Sequence, residues 1–340
     1  MVTKAPCKDT RGDDLGRLES QNGTMTELAT VATGHERVPT GLATLKVGAQ
    51  YAPLTEPYPN GYHFPPSLSW KEGFTRGCKA FWAYTTTWLG FFVVLYGLNV
   101  VAWGGMLFLL LCNAAPAMCH PTCNDINSPR RKWIETTSQI LNGLFCVTGF
   151  GLAPWRFRDL YYLVKWRFGS RTNDLRRLAG IHRGWFRLRG SDNIPLDIGP
   201  DNVGDYAAGS DLASIPLPES KIPDPPLTGV RAPATAPWKL DFVIWFNVWN
   251  TFLQCCLAGF MWGMNRYDRP SWSTGLFVGL AMVAAMVGGL MMFFEGKKVK
   301  SIEGIPVCEK DLQQLARDKE AGIIHYNNIK DKKPKEKGGK

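Results

Sequence analysis

The sequence is short of the residues that staple, ligate and catalyse. Nine cysteines in 340 residues are too sparse for the disulfide framework of a small secreted scaffold. The first ~70 residues hold no signal-peptide apolar core, so insertion is expected to be driven by the first apolar block as an uncleaved anchor. No P-loop, G-x-S-x-G elbow or H-E-x-x-H helix occurs, so no established catalytic motif, cofactor or metal centre is expected. The net charge is +10, but no nucleic-acid-binding module accompanies it, which argues against a nucleic-acid partner. Much of that charge abuts apolar blocks instead, the pattern of a membrane protein.

Charge is also missing from four apolar blocks. Trp88 to Leu111, Phe242 to Met264 and Trp272 to Phe294 are each long enough to cross a bilayer, which takes about 20 residues at 1.5 Å rise. Thr137 to Pro154 is shorter and carries Ser138, Gln139 and Asn142. The expected fold is an all-α membrane protein with about four transmembrane helices, a cytosolic amphipathic surface helix and disordered tails. Trp88, Trp155, Trp238 and Trp272 stand at block ends, where an indole ring is half buried at headgroup level and its N–H stays wet. The absence of intramembrane charge weighs against an ion-coupled carrier, which needs ionisable groups facing the bundle interior.

Orientation follows from lysine and arginine. Residues 155–190 hold ten basic side chains against two acids, Asp159 and Asp174. Lys71, Arg76 and Lys79 precede the first block, and Lys297, Lys298 and Lys300 follow the last. With four crossings all three clusters fall on one side, expected to be the cytosol, with both termini there. Arg130, Arg131 and Lys132 lie on the opposite side and resist the rule.

The expected organisation is a disordered cytosolic tail over 1–70 and two spans with a basic surface segment over 71–190. A Pro/Asp-rich disordered insert over 191–237 follows, then two spans over 238–296 and a basic tail over 297–340. The insert carries nine prolines and seven acids, a composition that cannot bury enough apolar surface to fold alone. In the surface segment Phe157, Leu160, Tyr161, Val164 and Phe168 recur at helical spacing, with Arg158, Lys165 and Arg167 largely off the stripe. This reads as a helix in the inner headgroup layer. Arg156, Arg158, Lys165 and Arg167 are the expected contacts to anionic lipid headgroups, worth ~1 kcal/mol per basic residue.

Neutral polar residues are ordered within the blocks. Gln139 and Asn142 share a face of the second, and Asn247, Asn250 and Gln254 share a face of the third. Amides cannot face lipid tails cheaply, so these faces are expected to meet inside the bundle, as interhelical glue or as a polar pocket for a lipid-like molecule. Gly90, Gly97 and Gly104 in the first block, with Gly275, Gly279, Ala281, Ala285 and Gly289 in the fourth, suit close helix packing or a homodimer. Cys112, Cys119 and Cys123 beside His120 are expected to form a disulfide or remain thiols rather than bind zinc, since paired ligand dyads are lacking. Cys78 is a candidate for palmitoylation. Asn22 opens a glycosylation sequon that a cytosolic tail leaves unused. Asp125, Glu135 and Asp159 lie near interfaces, where solvation or arginine pairing is the expected role.

The stretches SPRRKWIE, LFCVTGFGL and PWRFRDLYYL resemble a fungal family of multi-pass membrane proteins of unknown function, distantly similar to cornifelin-like proteins. The resemblance spans roughly residues 75–300 and implies an endomembrane (endoplasmic reticulum) or plasma-membrane protein, with an accessory role in a secondary-metabolite pathway as an association. It carries over no catalytic residue. The reading is a non-enzymatic scaffold or facilitator of lipid-like molecules, with a membrane enzyme as a further candidate partner. The alternatives are an intramembrane enzyme on an isoprenoid-like substrate and a small channel or carrier.

Overall fold

The structure is a computed structural model, which describes residues 54–207 and 212–334. The described residues are helical, without a strand, and fall into two compact units. The expected disorder of residues 1–53, the Asn22 sequon and the last six residues lie outside the described residues.

The smaller unit joins the segment before Trp88 to the segment after Ile305. Its helix α1 (Trp70–Thr85) starts at Ser69, where a capping box with Glu72 satisfies amides that a first turn leaves open. Helix α9 (Glu309–Glu320) is tied to α1 by an Arg76–Asp311 ion pair of 2.9 Å. Part of the segment expected to be disordered is anchored here: Phe64 is 1% exposed, and its amide donates to Asn327 Oδ1 at 2.9 Å.

The larger unit holds helices α2 (Trp88–Leu111), α3 (Pro129–Gly151), α4 (Ala153–Gly169), α5 (Thr172–Ile181), α6 (Val203–Ala207), α7 (Pro237–Gly263) and α8 (Ser271–Glu303). Three of them, α2, α7 and α8, are long and apolar enough to cross a bilayer. At 1.5 Å per residue the 33 residues of α8 reach about 50 Å, longer than the hydrocarbon core. The apolar block therefore ends before the helix does.

Helices α2 and α3 pair as an antiparallel hairpin, with Tyr96 donating to the Leu144 carbonyl at 2.7 Å. Ser128, fully buried, caps α3 by accepting from the Arg131 amide, and Pro129 occupies the first helical position. Of the three basic residues that resisted the orientation rule, Arg130 has a structural role. Its guanidinium, 7% exposed, donates to Leu110 O at 2.8 Å, Cys123 O at 3.0 Å and Leu111 O at 3.3 Å. It thereby ties the Leu110 and Leu111 carbonyls at the end of α2 to the loop carbonyl of Cys123.

Helix α4 continues α3 with little interruption. Helical bonds run through the junction from Leu152 N to Thr148 O and from Arg156 N to Leu152 O, both 3.1 Å. Pro154 has no N–H and supplies the break. The pair then follows α7 in the opposite sense: Gln139 meets Met261, Gly149 meets Gln254, Arg156 meets Asn250, and Arg167 meets Asp241. Trp155 thus stands level with the middle of α7, not its end.

Beyond the end of α4, Leu163, Leu178, Trp185, Phe186, Leu188, Leu240, Val243 and Ile244 form one core, with Met291 and Met292 of α8 packed on it. Residues 191–237, expected to be a disordered insert, build a second core instead. Ile215 and Ile222 are fully buried among Ile194, Ile198, Val203 and Ala207. Polar anchoring replaces the missing apolar mass. Arg231 donates to the carbonyls of Ile194, Pro195 and Ile198. Arg187 holds Glu303 through two bonds, 2.9 and 2.6 Å. Burial pushes the Arg231 guanidinium below its ordinary pKa, against the pull of Glu303.

Candidate functional site

The amides of α3 and α7 line the contacts of these helices with each other, with α4 and with α8, a polar ladder in which no α3 amide bonds an α7 amide among the described residues. Gln139 Nε2 donates to the Met261 carbonyl at 2.7 Å and to Glu135 at 2.8 Å. Asn250, 3% exposed, donates to the Ala281 carbonyl of α8 at 2.7 Å. Gln254 lies over Gly149, where an added Cβ would stand 1.5 Å from its Oε1, and Asn247 faces Gly288, whose Cβ would meet Oδ1 at 3.7 Å. Asn142, 3% exposed, sits between the Gln139 and Gly149 contacts, so its level on α7 falls between Gln254 and Met261 rather than at Asn250. The Asn142 Nδ2 and Gln254 Oε1 atoms are buried without a hydrogen-bond partner among the described residues.

Sequence reasoning missed the cation in this ladder. Arg156 donates from Nη1 to Asn250 Oδ1 at 2.7 Å and to Thr251 Oγ1 at 2.8 Å, at the middle of an apolar helix. Pro154 and Trp155 mark the end of the apolar block in the sequence and so put Arg156 at the headgroups, whereas helical bonds carry the chain on through the junction.

The other expected headgroup contacts have protein partners too. Arg158 binds Asp159 at 2.9 Å, and Arg167 pairs with Asp241. Lys165 stands 4.1 Å above the Tyr161 ring. The interfacial acids are engaged as well: Glu135 pairs with Arg269, Asp159 also faces His182 at 3.4 Å, and Asp125 Oδ1 accepts from the Asn127 amide at 2.7 Å. In the loop after α2 a disulfide joins Cys119 to Cys123, while Cys112 and Cys78 are exposed free thiols. Gly97, Gly104, Gly275, Gly279 and Gly289 have no atom within 4 Å of an added Cβ, so close helix approach does not occur at these glycines. In α8 it occurs at Gly288.

Helix α4 divides its apolar residues between two faces. Leu160 and Leu163 turn to the core, whereas Phe157, Tyr161, Val164 and Phe168 are 39, 53, 41 and 88% exposed. That exposed stripe continues onto α7, where Phe157 packs edge-on against Phe252 beside the exposed Trp249 and Trp245.

At the lower end of the stripe, a cleft of about 600 Å³ opens between α4 and α5. Tyr161, Tyr162 and Lys165 line it from α4, Arg171 from the turn, and Asp174 and Arg177 from α5. Ser170 makes the turn with a left-handed backbone, φ 49°. The Arg177 guanidinium lies 5.5 Å from the Tyr162 ring. Three cations against one carboxylate, with the N-terminal dipole of α5 opening on the same space, make a setting for a phosphate-sized anion. Arg171 and Arg177 were not among the headgroup contacts expected from the sequence, because only the turn at Ser170 folds α5 back beside Lys165.

Residues 83–166 match a family described as a protein of unknown function (DUF2985), about a quarter of the chain. The match takes in α2, α3 and most of α4, including Arg130, Arg156 and the three stretches that carry the resemblance. No curated protein and no solved structure matches the chain.

Proposed function

We propose that this chain is a four-crossing membrane protein that holds anionic lipid in the α4–α5 cleft, as a scaffold or facilitator for lipid-like molecules rather than a catalyst. The observation that carries the reading is continuity. The basic cleft adjoins an exposed apolar stripe that rises along α4 and α7, so one lipid could place its phosphate among Lys165, Arg171 and Arg177 and its chains against Phe168, Val164 and Phe157.

Connectivity supports the fourth crossing. The α2–α3 loop meets the α7–α8 loop through Tyr267 and Asn127, 3.1 Å apart. The core around Leu163 gathers the start of α7 and the end of α8 at the other end of the same helices. The chain passes between those ends only through α3 and α4. With the nine lysines and arginines of 157–190 towards the lower end, that end is read as the cytosolic one.

The test reconstitutes the full chain in nanodiscs of neutral lipid doped with an anionic phospholipid and counts bound lipid by native mass spectrometry. Replacing Lys165, Arg171 and Arg177 by serine removes three cations at ~1 kcal/mol each, a loss of about a hundredfold in anionic-lipid preference. Unchanged preference would overturn the reading.

A further inference from the structure

Helix α2 leaves a face uncovered, and that face is patterned. It meets α3 through Tyr96, which donates to the Leu144 carbonyl, and the partly buried Val100, Trp103 and Leu107 continue the Tyr96 side of the helix. About a quarter turn round the helix from that stripe lie Trp88, Phe92, Leu95, Asn99, Ala102 and the partly buried Met106, spaced alternately four and three residues apart. That alternation is the core seam of a left-handed helix pair. Trp88, Phe92 and Leu95 are 81, 50 and 44% exposed, and Asn99 and Ala102 are exposed.

One polar residue interrupts the seam at mid-length. Asn99 lies about 17 Å from either end of the 24-residue helix, at the depth of the bilayer centre. Among the described residues its side chain makes one hydrogen bond, from Nδ2 to the Leu95 carbonyl of its own helix at 2.9 Å. The amide oxygen and the second N–H are left facing hydrocarbon, which cannot bond them.

We propose that α2 is the helix through which two copies of this chain associate in the bilayer, with Asn99 paired to Asn99 across a two-fold axis. A carboxamide carries both donor and acceptor, so a second copy answers it without any further residue type. An isologous interface places identical side chains opposite each other at its axis. A single asparagine at a seam position also sets register and pairing in helix dimers. Ala102, one turn on, lets the backbones approach beside the amide pair. The inference is independent of the lipid cleft, which lies on α4 and α5.

The experiment uses the full chain in neutral lipid vesicles, fused to donor or acceptor fluorescent proteins, with energy transfer followed as lipid dilutes the protein. Asn99→Leu is expected to weaken association by about 3- to 30-fold, the range measured for interhelical hydrogen bonds, and Asn99→Gln to retain most of it. In a chain whose free cysteines are replaced by alanine, single cysteines at 92, 95, 99, 102 and 106 should crosslink between copies, and those at the exposed positions 101, 105 and 108 should not. Three results would overturn the proposal: no energy transfer in the native chain, equal association by Asn99→Leu, or crosslinks centred on 101, 105 and 108.

Discussion

Arg130 offers a perturbation in which two physical roles make opposite predictions. As a topogenic charge it would stand on the non-cytosolic side of the proposed topology, and removing it should strengthen that orientation at little cost in stability. As a cap it holds α2, α3 and the intervening loop together. Arg130→Met keeps the chain length and removes the donors. Two of the three bonds are short, 2.8 and 3.0 Å, and each is worth about 1.5 kcal/mol, the low end for a charged donor, because freed carbonyls at a helix end regain some water. The third, at 3.3 Å, adds less, and the lost cation at the helix C-terminus costs a further 0.3–1 kcal/mol or so. The expected destabilisation is about 3.5–5 kcal/mol.

The assay is equilibrium unfolding in mixed micelles, followed by tryptophan fluorescence as a denaturing detergent is titrated in. A parallel protease-protection measurement on sealed vesicles reports the side of each terminus. Arg130→Lys should fall between wild type and Arg130→Met, because a point charge restores the dipole contribution but cannot fork across three carbonyls. Wild-type stability in Arg130→Met, or an inverted orientation, would refute the capping argument.

Three further outcomes are expected. Ile222→Ala, at a fully buried site, should cost about 2–4 kcal/mol and open residues 191–235 to limited proteolysis; resistance equal to wild type would return that segment to the status of a loose insert. Arg187→Met leaves the Glu303 carboxylate with the Ala232 amide at 3.1 Å and should cost about 3–5 kcal/mol as a broken buried pair, readable in the same unfolding assay. In the smaller unit, burial pulls the His325 pKa down, but hydrogen bonds to Asp331 and Asp318 outweigh it and leave it raised above 6.5. Burial tends to raise the Asp331 pKa, yet the Ser67 amide, His325 and the Tyr326 amide hold it below 3.8. The histidine contribution is therefore complete below pH 6.5 and lost as pH rises through its raised folded value; the aspartate contribution is complete above pH 3.8 and lost as pH falls through its depressed one. Amide exchange at Tyr326, corrected for its intrinsic pH dependence, should be slowest between these limits, and His325→Gln should abolish the alkaline limb.

What the sequence made legible was the apolar thickness of the bilayer, not the length or partners of the helices. The 24 residues of α2 coincide with their apolar block because a turn follows at once, with Asn113 N bonding Leu110 O and Ala114 N bonding Leu109 O. In α8 the two part company, since Lys297, Lys298 and Lys300 end the block but favour helix as well as any residue. Proline counting misread residues 191–237. Disorder by composition assumes that a segment must fold from its own apolar residues, and here Arg187 and Glu303, outside it, supply the anchoring. The apolar stripe of α4 was legible as a period but not as a partition: Leu160 turns inward and Phe157 and Phe168 outward, a division set by α7 and invisible to a helical wheel. The cleft was illegible for the same reason, because Lys165 and Arg177 become neighbours only through the turn at Ser170.

The same reasoning decides how a helix as polar as α3 can belong in the bundle. A hydropathy average prices each amide as if it faced lipid. In α3 and the start of α4 the polar groups face α7 instead: Gln139 reaches the Met261 carbonyl and Arg156 reaches Asn250 and Thr251. Each such bond offsets the desolvation that the average counts against the helix. Asn250 in turn bonds the Ala281 carbonyl of α8, so α8, the most apolar of the three partners by hydropathy, supplies backbone rather than side chain. On the proposed four-crossing reading, α3 is a span whose insertion depends on α7 and α8 being present. A chain truncated after residue 235 should leave α3 partly outside the membrane, and one carrying Asn250→Leu should leave Arg156 without its Oδ1 acceptor and reduce protease protection of α3 while α2 remains protected. Full protection of α3 in the truncated chain would show that it crosses on its own hydropathy and that the ladder is incidental.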